Sequence, residues 1–108
     1  MLLKTNGEVV PLVVATSWIS KALGLMFRSP KYGLLIPLDP SKEYTIHMFF
    51  MRFSIDLILL DDGYKVLDIK TLRPWRDIVK VSGTRWALEL REGTLRNVKI
   101  GDVLEIQS

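Results

Sequence analysis

Cysteine is absent from this chain of 108 residues, which removes disulfides, thiolate nucleophiles and every zinc site built on sulfur. Histidine occurs once, as His47, so motifs that need two imidazoles are excluded as well. No apolar run approaches the roughly 20 residues that carry a helix across a bilayer. The opening Met1-Leu2-Leu3-Lys4-Thr5-Asn6-Gly7 lacks a basic segment followed by an apolar stretch. It therefore does not read as a secretory signal, and a cytoplasmic location with no membrane partner is the expectation. No Walker-type glycine loop is present, which argues against nucleotide hydrolysis. Side-chain amides are confined to Asn6, Asn97 and Gln107, a scarcity that fits a thermophilic source. Linkers, repeats and low-complexity tracts are missing, and the length predicts a single domain over residues 1–108.

What remains is a balanced globular composition, 48% hydrophobic and 25% charged. The net charge of +3 is unevenly spread. Residues 1–63 carry six Lys and Arg against six Asp and Glu, whereas residues 64–108 carry nine against six. That excess either attracts polyanions or forms a plain solvated face.

Turn signals divide the chain into short apolar segments. Asn6-Gly7 separates two strand-like stretches, Met1–Thr5 and Glu8–Val14, and predicts a tight hairpin. Pro11 cannot donate a ladder hydrogen bond, which predicts an edge strand there and leaves monomer and homodimer both open. Thr16 or Ser17 caps a short helix over residues 17–24, with Trp18, Ile19, Ala22 and Leu23 on one face. Further strands are predicted at Tyr32–Leu38, Tyr44–Phe53, Ile55–Leu60, Tyr64–Leu72, Asp77–Val81, Thr84–Leu90 and Val103–Ile106. The expected fold is all-β, a mostly antiparallel sandwich or barrel with one short helix after the N-terminal hairpin.

Several fragments together resemble a known family. Gly24-Leu25-Met26-Phe27-Arg28 is similar to the GLMFR signature of domain-of-unknown-function family 192. The stretch from His47 to Asp56 resembles its central F-W-M-K-N-T-x-x-x-L-D element. Phe50 stands here for Trp, Arg52 for Lys and Phe53 for Asn. Leu88-Glu89-Leu90-Arg91-Glu92-Gly93 matches the family's L-E-L-x-x-G, and Gly101-Asp102 its closing G-D. The resemblance implies a compact β-rich fold with one helix, and no established reaction.

Among residues that carry chemistry, His47, Met48 and Met51 suggest a soft copper site. On a strand, however, Met48 faces away from His47, and Met51 lies about 13 Å further along. No metal and no cofactor are therefore expected. Asp56 interrupts a segment apolar on both faces and needs a partner, with Arg28 and Arg52 as candidates. Its alternative role is structural, an ion pair or a cap on loop amides. Glu89 is read either as a functional acid or as part of a solvated outer face. The loop Lys70–Arg76 sets Trp75 between Arg73 and Arg76, which suits single-stranded nucleic acid. Its bland counterpart has Trp75 tucked onto the sheet.

Three functions follow as expectations. The first is a binding module for a small, anionic ligand, with Arg28, His47, Arg52, Asp56 and Glu89 around a shared hollow. The second is an enzyme using His47 with Asp56 or Glu89 as acid and base. The third is RNA or single-stranded DNA binding through the basic second half.

Overall fold

Gly7 adopts a φ of +79° between β1 (Leu2–Thr5) and β2 (Glu8–Val14), which pair antiparallel from Thr5↔Glu8 to Leu2↔Pro11. The expected hairpin is thus in place. The computed structural model describes residues 1–5, 7–14, 32–48 and 53–108. The helix expected over residues 17–24, together with Arg28 and Arg52, lies outside the described residues.

The remaining strands are β3 (Gly33–Pro37), β4 (Glu43–His47), β5 (Ile55–Leu60), β6 (Val66–Leu72), β7 (Ile78–Ser82), β8 (Trp86–Arg91) and β9 (Glu105–Gln107). Seven of them form one sheet in the order β6-β5-β8-β3-β2-β1-β9, while β4 and β7 pair as a separate ribbon. All pairings are antiparallel except β2 with β3. The large sheet curls into a half-barrel. Its two ends are drawn together by an antiparallel bridge between Lys65 and Val103.

Pro11 is not on an edge, because β2 lies between β1 and β3. The register explains how the sheet tolerates it. Leu12 donates its amide to the Met1 carbonyl at 2.8 Å, on the β1 side. Alternation therefore turns the Pro11 nitrogen towards β3, where pairing begins only at Leu12↔Gly33. No ladder bond is lost.

Both faces of the central strands are covered, which is why β3, β5 and β8 read as nearly unbroken apolar runs. Leu35, Ile58, Leu60, Leu88 and Leu90 face the concave side with Leu3, Val66 and Leu104. Leu34, Ile36, Ile55, Leu57 and Ala87 face outward and are roofed by the β4–β7 ribbon through Ile46 and Val81. Gly33 sits where a Cβ would press on the Leu12 and Leu90 side chains. Among the described residues no helix is long and apolar enough to cross a membrane.

Candidate functional site

Strand β8 is the middle of this double-sided core, and it carries Glu89. Register places Glu89 opposite Leu34 on β3 and Leu57 on β5. Directly opposed residues share a face, so Glu89 lies on the roofed outer side among fully buried leucines. It is 3% exposed, and its Oε2 has no hydrogen-bond partner. Loss of water pushes the carboxyl from 4.5 up to about 8. At neutral pH it is a protonated acid, able to donate one hydrogen bond and to accept others. The solvated outer face expected for Glu89 is therefore corrected: that face is outward for the barrel, but the ribbon covers it.

Two residues along β8 on the same face is Arg91, whose guanidinium lies 3.9 Å from the centre of the Phe53 ring. Arg91 was not among the expected site residues. The signal was available in the i, i+2 spacing of Glu89 and Arg91 within Leu88–Arg91.

Asp56 takes a different place. It pairs in register with Leu90 and Thr71, one residue out of phase with Glu89, and so projects from the opposite face. Its Oδ1 accepts the Thr71 hydroxyl at 2.7 Å and its Oδ2 accepts the Gly93 amide at 3.1 Å. That is the loop-capping role. Asp56 and Glu89 are not brought together. His47 closes β4, in register with Ile78 on β7, on the ribbon that roofs Glu89's face. Arg28 and Arg52 remain outside the described residues.

Other features weigh the remaining expectations. Among the described residues no group of three or more His, Asp or Glu is set to hold a metal ion. A shallow hollow lined by Glu8, Val9, Val10, Pro11 and Thr94 contains none of the expected site residues. Much of the basic excess is paired at the surface: Lys70 with Asp68 at 3.9 Å, Arg73 with Asp77 at 3.3 Å, Lys80 with Glu43 at 3.8 Å, and Arg85 with Asp62 at 3.6 Å. Trp75 does not tuck onto the sheet; it is 62% exposed.

Comparison with known proteins agrees with the fold. A solved candidate transcription regulator of Sinorhizobium meliloti superposes with a TM-score of 0.74 at 22% identity, covering 96% of this chain and 89% of that one. A protein of unknown function from Novosphingobium aromaticivorans gives 0.71 at 22% identity, covering 97% and 82%. At that identity the likeness concerns the fold alone. In sequence, a UPF0127 protein of Pyrococcus horikoshii is 41% identical over 99 residues, 90% of this chain and 84% of the relative. Another from Pyrococcus furiosus is 36% identical over 111 residues, 97% and 96% of the two chains. These relatives come from thermophilic archaea, which accords with the scarcity of side-chain amides. Residues 1–106 match the model of domain-of-unknown-function family 192, described as Uncharacterized ACR, and the chain belongs to that family.

Proposed function

We propose that the protein is a binding module for a small polar ligand, recognised between the outer face of β8 and the β4–β7 ribbon. One observation carries this reading: the Oε2 of Glu89, buried among leucines with no partner. A buried polar group left unsatisfied costs about 1–3 kcal/mol, and such groups are few in folded proteins. A ligand that offers Oε2 a hydrogen bond recovers that loss on binding. Arg91 supplies a cation on the same face. Arg28, His47 and Arg52 are kept in the proposal as groups expected to meet an anionic part of the ligand. Asp56 is not, since both its oxygens hold the fold. A cytoplasmic site of action belongs to the same proposal.

No structural observation favours an acid–base enzyme built on His47 with Asp56 or Glu89: both Asp56 oxygens are taken up by Thr71 and Gly93, and Glu89 is buried among leucines. The test is thermal unfolding of the protein against a panel of small carboxylates, phosphates, amines and polyols. Binding to the native state alone stabilises it by about 2.7 kcal/mol at a hundredfold excess over Kd. At least one class should raise Tm in a concentration-dependent way; Glu89→Leu should remove the response, while Glu89→Gln, which keeps a neutral donor and acceptor at that place, should retain more of it. A panel without any response, or a Glu89→Leu variant that responds as the parent does, would overturn the proposal.

A further inference from the structure

The turn Arg73-Pro74-Trp75-Arg76 sets an aromatic residue in a conformation that favours glycine. Trp75 has a φ of +62°, the left-handed region in which a bulky side chain is uncommon. The surrounding hydrogen bonds hold it there. The Trp75 amide donates to the Met48 carbonyl at 2.7 Å, and the Arg76 and Asp77 amides both reach back to the Arg73 carbonyl. Asp77 locks the base of the turn, its Oδ2 accepting the Arg73 amide at 2.7 Å and the Arg73 Nε at 3.3 Å. The Arg73 amide bond holds the Asp77 carboxyl below its ordinary range, so the clamp stays charged.

This arrangement presents rather than hides the indole. Trp75 is 62% exposed, with Arg76 exposed beside it. The Arg73 side chain is 55% exposed, although Asp77 fixes its direction. Non-glycine residues held in the left-handed region cluster at ligand clamps and switch regions. An exposed indole with arginines two residues before it and directly after it in the chain suits a base stacked on the ring and phosphates met by the flanking cations. Duplex bases are already stacked on one another, so the fitting partner is single-stranded. The turn also belongs to residues 64–108, which hold the whole of the net +3 charge.

We propose that the turn at residues 73–77 binds single-stranded nucleic acid, with Trp75 stacking on a base and Arg73 and Arg76 contacting the flanking phosphates. The site is separate from Glu89, and its fate does not depend on the ligand-binding proposal. The test is fluorescence anisotropy of labelled oligo-dT and oligo-rU with the intact chain at low salt. Trp75→Gly is the informative variant, because glycine suits the backbone there and folding should be preserved, as thermal unfolding will verify.

Removal of one base-stacking side chain should weaken binding at least fivefold. Arg76→Ala should weaken it too, and should lower the slope of log affinity against log salt by about one. A difference between the two oligomers would distinguish RNA from DNA as the natural partner, and either preference upholds the site. The proposal falls if neither oligomer binds at low salt. It also falls if Trp75→Gly binds as the parent does, including where dextran sulfate is bound equally by both, which would mean general polyanion attraction.

Discussion

At the residue scale, Glu89 couples the stability of the fold to pH in an unusual sense. Most carboxylates in folded proteins are stabilised as anions, but here burial holds the acid neutral up to about pH 8. The unfolded chain releases the same proton near 4.5. Between those values the native state holds a proton that the unfolded state has lost. The contribution of Glu89 is thus complete below pH 4.5, declines as pH rises towards 8, and levels off once both states are ionised. The steepest part should fall at about 1.4 kcal/mol per pH unit. Asp77 acts in the opposite sense, its contribution present above the ordinary carboxylate value and lost as pH falls through its lowered one. The comparison is therefore best made as a difference. Urea unfolding from pH 5 to 9 should show the parent losing stability relative to Glu89→Gln, with the gap widening up to about pH 8 and constant beyond. Parallel curves for the two proteins would contradict the burial argument.

At the element scale, the exit from β8 shows what a carboxylate does when its partners are amides and hydroxyls. The turn after Arg91 needs Gly93 at a φ of +82°, and it is held by Glu92 to Ser54 at 3.1 Å, Thr94 to Arg91 at 3.0 Å, and Gly93 to Asp56. Asp56→Ala leaves the Gly93 amide without its acceptor and frees the Thr71 hydroxyl, at a cost of about 1–3 kcal/mol. Thr71→Val should cost less, and the double variant should fall short of the sum because both changes act on one network. Urea midpoints of the four proteins measure this, and a neutral Asp56→Ala would refute the capping role.

The same stretch shows which parts of the fold are legible in the sequence. Local signals served well: Asn6-Gly7 gave the first hairpin, and the apolar run Ile55–Leu60 is β5 residue for residue. The predicted strand Tyr44–Phe53 is β4 only from Glu43 to His47, and residues 49–52 lie outside the described residues. The candidate site was harder to read. Asp56 meets an amide 37 positions away, a contact that no local pattern encodes. Whether Glu89 faces water depends on the β4–β7 pairing, which joins residues from either side of β5 and β6. Alternation within β8 fixes its face, but not what covers that face. The apolar runs of β3 and β5, the latter interrupted by Asp56 alone, were the available hint, since they announce a sheet buried on both sides.

At the scale of the whole molecule, the half-barrel is closed by the last ten residues, and its cooperativity should reflect that. The segment at residues 101–104 crosses to the far end of the sheet, where Val66 donates to Asp102 at 2.7 Å, Gly101 to Val66 at 2.8 Å, and Leu104 to Tyr64 at 3.0 Å. It then continues into β9, which pairs with β1. The first and last strands are thus neighbours, and one short stretch links both ends of the sheet. Beyond this seam the β6 edge is blunted, because the Asp68 carboxylate occupies the Ile69 amide at 2.9 Å. Leu104 is the apolar pin of the seam, 3% exposed and packed inside with Leu3 and Val66. Leu104→Ala should cost about 2–5 kcal/mol through the cavity it leaves. The loss should not be uniform: a seam opened at Leu104 frees the amides of Val66, Gly101 and β9 first, while β5 and β8 stay paired on both sides. Native-state hydrogen exchange should therefore show the largest loss of protection at the seam and β9. Equal loss across β5, β8 and β9 would mean that the barrel opens as a single unit and that the seam is no weaker than the core it closes.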